Sequence, residues 1–196
     1  ASGEPSPDRI DTVTGQLREN PPEALVSIGG GSIIDTGKAV AAMLAQPGSI
    51  SDYLEGVGTK KPSGKNLPFI AVPTTAGTGS EASKNAVISR TGESGFKKSL
   101  RHDNYVPDFA IVDPQLALEC PPDVTAASGL DAIIQLLEGF VSSKASPITD
   151  SLAIGGLMAA GRSFENTVRN GEELQPRTDM AYAAYISGIV LANAGL

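Results

Sequence analysis

The chain has 196 residues, 40% hydrophobic and 19% charged, with no tryptophan and a net charge of −7, which is enough apolar material to bury a core in one or two domains. The acidic balance argues against nucleic acid or an anionic membrane as a partner. A lone cysteine, Cys120, excludes an intramolecular disulfide framework and favours a reducing, cytoplasmic setting.

Residues 1–9 are polar and contain proline, unlike a secretory leader, and no apolar run reads as a membrane span. Asp8 to Asn20 repeats Ile10, Val13 and Leu17 at helical spacing, and Pro21-Pro22 stops that helix. Ala24 to Ile28 reads as a buried strand, Gly29-Gly30-Gly31-Ser32 as a tight turn, and Ile33 to Leu44 as a helix. Together they form the first half of a βαβ unit. Residues 46–67 read as loop, and Pro68 to Val72 as a second strand. Ala86 to Ile88 predicts a short strand turning at Thr91-Gly92, and Phe109 to Pro114 predicts another, closed by proline. From Pro121 the pattern becomes helical, over 123–140, 149–168 and 178–191. The fold class is therefore α/β, with a domain of residues 1–118 followed by an all-helical domain of residues 119–196.

The second strand runs into Pro73-Thr74-Thr75-Ala76-Gly77-Thr78-Gly79-Ser80-Glu81, where four hydroxyls and two glycines arrive within seven positions. Such a segment has little to pack and much to donate in hydrogen bonds. In an open parallel sheet, ligands bind beyond the carboxyl ends of the strands. The Gly29–Ser32 turn allows close backbone approach, and the helix behind it presents free N–H groups to an anion such as a phosphate. The plainer readings are a βα turn that needs glycine and a loop in which Thr78 or Ser80 caps a helix with Glu81 in its first turn. Asp35 and Lys38, three apart, read as a surface ion pair worth under about 1 kcal/mol, or Lys38 as an added charge beside a phosphate.

These residues resemble the iron-containing (group III) alcohol dehydrogenases. Gly29 to Lys38 is similar to that family's GGGS-x-x-D-x-x-K segment, Pro73 to Glu81 to its PTTAGTGSE segment, Pro107 to Pro114 to a strand ending in Asp-Pro, and Ala127 to Ala132 to the entrance of its metal-binding helix. The resemblance implies a dehydroquinate synthase-like plan, with a partial Rossmann-like N-terminal domain, a partial all-helical domain and the cofactor between them. It implies NAD or NADP as cofactor, with Gly29, Gly30, Gly31 and Ser32 at the pyrophosphate. Thr74, Thr75, Thr78 and Ser80 would lie along the diphosphate and nicotinamide, and Lys98, or its neighbour Lys97, at the ribose. It further implies hydride transfer between a nicotinamide and a small primary alcohol or aldehyde, in a homo-oligomer. The alternatives are a related reductase of the same superfold, or a nucleotide-binding module without catalysis of its own.

Asp131 matches the family's first ligand to Fe²⁺ or Zn²⁺; without the resemblance it reads as a carboxylate held by a helix dipole. The family places histidine four residues later, where this chain has Gln135, and an amide oxygen is a weaker ligand than imidazole for a transition metal. The only histidine, His102, reads as a solvated loop residue. The sequence resembles about half of a full-length member, lacking the first βαβ unit and the later helices, so exposed apolar helix faces and self-association are expected.

Overall fold

A computed structural model of the chain describes residues 3–92 and 95–195. They fall into two compact units, Ala1–Ala71 with Lys84–Ala110, and Val72–Ser83 with Ile111–Leu196.

The first unit opens with helix α1, Pro7–Glu19. Ser6 caps it by accepting the Arg9 N–H at 3.4 Å, proline occupies its first turn, and Pro21 follows its end, a combination that fixes both limits. Strand β1, Leu25–Gly29, leads through the glycine turn into helix α2, Gly31–Leu44. Strands β2, Phe69–Pro73, β3, Asn85–Arg90, β4, Phe96–Arg101, and β5, Phe109–Ala110, follow. β1, β2 and β5 form one sheet in that order, with β2 and β5 parallel and Ile70 opposite Phe109. β3 and β4 form a separate antiparallel hairpin, Ile88 opposite Lys98 and Ser89 opposite Lys97.

Ile10, Val40, Met43, Ile50, Leu54, Ile88, Leu100 and Tyr105 are buried in one core cluster between α1, α2 and the hairpin. Each such side chain contributes roughly 1.5–3 kcal/mol on burial. Gly37 lets α2 lie close to the sheet, since a Cβ there would come within 2.8 Å of the Phe69 ring and collide with the Ser27 hydroxyl.

Two segments differ from the sequence reading. The predicted basic loop around Lys97 and Lys98 is strand β4; only Phe96 and Leu100 are apolar there, so its alternation is masked. The strand predicted over 109–114 is only Phe109–Ala110, because Asp113 accepts the Gln115 N–H at 2.9 Å and Pro114 opens a 3-10 turn.

The second unit packs helices α3, Pro122–Val141, α4, Pro147–Arg169, and α5, Leu174–Asn193, around Leu136, Ala153, Ala160, Met180, Ala183, Ile186 and Val190. Ser146 and Thr149 form a capping box that starts α4. Small residues set the spacing: a Cβ on Gly156 would meet Leu136 at 2.8 Å, and Gly139 lies against Val190. Buried Arg177 ties the first turn of α5 to the start of α3 and the loop before α5, donating to the Cys120 carbonyl (3.0 Å), the Thr125 hydroxyl (2.9 Å) and the Gly171 carbonyl (2.8 Å).

α3 corrects one expectation: with a mean hydropathy of 1.3 over 18 residues it is long and apolar enough, by length and composition, to cross a membrane. Here it packs on α4 and α5. The units also divide the chain elsewhere than at 118/119, since residues 72–83 belong with the helices.

Candidate functional site

The hydroxyl-rich segment is seated on the helical unit by two glycines. A Cβ on Gly77 would come within 2.6 Å of the Ser128 Cβ and 2.8 Å of its carbonyl oxygen. Gly79, at φ +59° and ψ +21°, lies against the backbone of Gly188 on α5; a residue with a side chain is strained in that left-handed conformation. Gly79 precedes a 3-10 turn, Ser80–Ala82, and the Thr78 hydroxyl accepts the Ser80 N–H at 3.3 Å. The cap position is thus Gly79 rather than Thr78 or Ser80, and Glu81 does lie in the first turn. Ser80 and Glu81 are buried, Thr74 and Thr75 half-buried, and Thr78 exposed. Thr75 and Glu81 line a small cleft with Asp113, Ala117 and Ala184. The first three threonines are therefore the accessible hydroxyls, while Ser80 belongs to the frame of the turn.

Asp131 stands three residues beyond Ser128 on α3, about 4.5 Å along the helix axis, so the loop and this carboxylate share one neighbourhood. The connection is reinforced from α5. Ser187, adjacent to Gly188 and fully buried, donates its hydroxyl to Gln135 Oε1 at 2.8 Å, and Gln135 Nε2 donates to Asp131 Oδ2 at 2.9 Å. Spacing of four on a helix brings Asp131 and Gln135 together, as the sequence predicts. Sequence reasoning assigns no role at this site to Ser187, Gly188 or Ser128, although Ser128 lies in the Ala127–Ala132 segment. The one available signal is a lone serine-glycine pair within the apolar run Tyr185 to Leu191.

These residues are a poor metal site. Asp131 offers a hard carboxylate, but Gln135 turns its amide nitrogen, not its oxygen, toward that carboxylate. Among the described residues no group of three or more His, Cys, Asp or Glu could hold a metal ion. Asp131 and Gln135 of this chain thus do not by themselves fit Fe²⁺ or Zn²⁺.

In the other unit, the glycine turn suits an anion. Gly30 is the cap of α2, with no side-chain hydrogen bond to the helix and no acidic residue in its first turn. The 14-residue helix thus presents its N-terminal N–H groups and positive dipole end at a half-buried glycine turn. Gly29 has φ +158°, and a Cβ there would lie 2.8 Å from Ile33.

Asp35 and Lys38 are not a surface ion pair. Both are buried; Asp35 Oδ2 accepts the Val87 N–H at 3.0 Å, and Lys38 Nζ donates to the Asn85 carbonyl at 2.9 Å. They fasten α2 to β3, which holds the helix behind the glycine turn in place. Of the two candidate lysines, Lys97 pairs with Glu4 at 2.9 Å, whereas Lys98 is exposed beside Gly56. His102 accepts the Asn104 N–H on Nδ1 and lies against Gly64 and the Tyr105 ring, so it is a structural residue.

Residues 1–114 match the model of the iron-containing alcohol dehydrogenase family, and residues 125–196 that of the C-terminal domain of the Fe-containing alcohol dehydrogenases. The chain is 41% identical over 174 residues to long-chain-alcohol dehydrogenase 1 of Geobacillus thermodenitrificans, covering 89% of this chain and 43% of that protein. It is 38% identical to the NAD-dependent methanol dehydrogenase of Bacillus methanolicus, covering 97% of this chain and 50% of that protein. Among solved structures, it is similar to sulfoacetaldehyde reductase from Bifidobacterium kashiwanohense in complex with NAD⁺, with a TM-score of 0.92 and 35% identity over 98% of this chain and 50% of the other. The chain spans about half the length of the curated relatives it matches.

Proposed function

The chain belongs to the iron-containing alcohol dehydrogenase family, and from that premise we propose that it binds NAD or NADP and takes part in hydride transfer between the nicotinamide and a small primary alcohol or aldehyde. The observation that carries this reading is the start of α2, a helix N-terminus with a glycine cap, no side-chain cap and no acid in its first turn. Gly29, Gly30, Gly31 and Ser32 would hold the diphosphate there through backbone N–H groups. Thr74, Thr75 and Thr78 would hydrogen-bond the nicotinamide end, with Ser80 shaping their turn, and Lys98 would reach a ribose hydroxyl. The nicotinamide, when bound, supplies the hydride acceptor or donor. What this chain's own groups add is orientation and exclusion of water, with the Asp131–Gln135 pair as the polar wall beside the threonines.

Calorimetric titration of NAD⁺ and NADP⁺ into the folded chain tests the reading, followed by an assay with a primary alcohol. Saturable binding at one site supports it; binding without turnover supports the nucleotide-binding alternative for this chain, and no binding overturns both.

Self-association is part of the same proposal. Leu130, Ile134, Leu137 and Val141 are exposed, and their spacing of four, three and four makes one apolar stripe along α3. Sizing by light scattering tests this, a monodisperse monomer at micromolar concentration being the opposing result.

A further inference from the structure

Ser187 has one hydroxyl proton and two acceptors within reach, Gln135 Oε1 at 2.8 Å and the Ala184 carbonyl at 2.7 Å. Gln135 in turn has one amide, whose nitrogen faces Asp131 Oδ2 at 2.9 Å while its oxygen faces Ser187. The two choices are coupled. When Ser187 donates to Gln135, the amide must hold its NH₂ toward Asp131. For Gln135 to offer its oxygen to a cation beside Asp131, the amide must turn over, and Ser187 must rotate its proton to Ala184 and accept from the amide instead. Without a cation, that turned state sets the amide oxygen against a carboxylate oxygen, two acceptors face to face. Asp131 is exposed and Gln135 half-buried, so turning the amide gives up the Gln135–Asp131 hydrogen bond and leaves that carboxylate oxygen to water, while fully buried Ser187 holds the amide from the other side.

We infer that Ser187 locks Gln135 in the orientation that satisfies Asp131 with a hydrogen bond, and that this lock makes the position select against a divalent transition metal. Gln135 is thereby more than a weak ligand. It is a donor held where the resemblance implies an imidazole acceptor, and Ser187 is the positioning residue that holds it. The inference rests on reading this unit as the metal-side half of the dehydrogenase fold, and it is independent of whether α2 binds a nucleotide.

The experiment titrates Zn²⁺ alone into the wild-type chain and into Gln135→His, Ser187→Ala and Asp131→Asn by calorimetry, with NAD⁺ binding and circular dichroism recorded on the same samples. Gln135→His is expected to bind Zn²⁺ at least about tenfold more tightly than wild type. Ser187→Ala should gain severalfold by freeing the amide to turn, and Asp131→Asn combined with Gln135→His should lose the gain. The Gln135 side-chain amide protons, followed by NMR, should shift in Ser187→Ala while the backbone of α5 outside residues 183–191 does not. Equal Zn²⁺ affinity in wild type and Gln135→His, or unchanged affinity in Ser187→Ala, overturns the inference. If Gln135→His does not fold, the Ser187→Ala titration decides alone. NAD⁺ binding that persists through these results separates a failure of this inference from a failure of the nucleotide reading.

Discussion

Gly79 and Gly188 meet backbone to backbone: a Cβ on Gly188 would overlap the Gly79 carbonyl oxygen, and a Cβ on Gly79 would overlap the Gly188 nitrogen. Two chain segments more than 100 positions apart are therefore joined where neither tolerates a side chain. This contact fixes the threonine loop on α5 next to Ser187, and through Ser187 and Gln135 it reaches Asp131.

Gly188→Ala gives a first test. Alanine is the better helix former by about 1 kcal/mol, but here its methyl must displace the Gly79 backbone, and overpacking costs about 1–3 kcal/mol. Denaturant unfolding should show a net loss, with NAD⁺ affinity falling as the loop is displaced. Gly161→Ala is the control: nothing lies within 4 Å of the added Cβ in α4, so stability should rise by up to about 1 kcal/mol.

Ser32→Asp separates helix stability from anion binding. An acid in the first turn of α2, where none is present, should leave the melting temperature unchanged or slightly higher, the dipole term being about 0.3–1 kcal/mol. The same charge repels a diphosphate, so NAD⁺ should bind at least about tenfold more weakly, roughly 1.4 kcal/mol. Equal affinity in both proteins would place the diphosphate elsewhere.

Arg177 is a buried cation held by two carbonyls and a hydroxyl, and burial pushes its guanidinium below its ordinary value. Lysine cannot reproduce that fork. Arg177→Lys should cost about 1–3 kcal/mol, the range for leaving buried polar groups unpaired, and unfolding monitored by circular dichroism measures it.

Glu4 gives a pH dependence. The hydrogen bond from Ser89, then that from Lys97, holds its carboxyl below the ordinary value. The stability it contributes is present above its unfolded value of 4.5 and is lost as pH falls through the lower folded value. The group is 53% exposed, so the effect stays under about 1 kcal/mol. Melting curves of wild type and Glu4→Gln should differ at pH 7 and converge in acid.

The helices were legible because their signals are local: Ile10, Val13 and Leu17 repeat within α1 and Pro21-Pro22 stops it, whereas the caps Ser6 and Ser146, which set the true starts at Pro7 and Pro147, are not part of the sequence reading. The glycine and threonine turns were legible because glycines and hydroxyls clustered after a strand have no apolar side chain to bury, although the structure shows that Gly77 and Gly79 also serve close backbone packing. The rest depends on partners remote in sequence. Asp35 and Lys38 at spacing three look the same on a wet helix as on a buried one, and only β3, about 50 positions on, decides between them. Lys97 and Lys98 read as loop because β4 shows its strand character only when paired with β3. Ser187 looks like a small residue in an apolar helix until Gln135 is set against it.

The central claim is that the glycine turn of α2 and the threonine loop both serve a nicotinamide dinucleotide. It is tested most directly by calorimetric titration of NAD⁺ into the wild-type chain, Ser32→Asp and a Thr74→Ala/Thr75→Ala double variant, each verified as folded. The account predicts one saturable site in wild type and at least about tenfold weaker binding in both variants, each tenfold being 1.4 kcal/mol. Absence of binding in the folded wild type, or binding that neither variant alters, would contradict it.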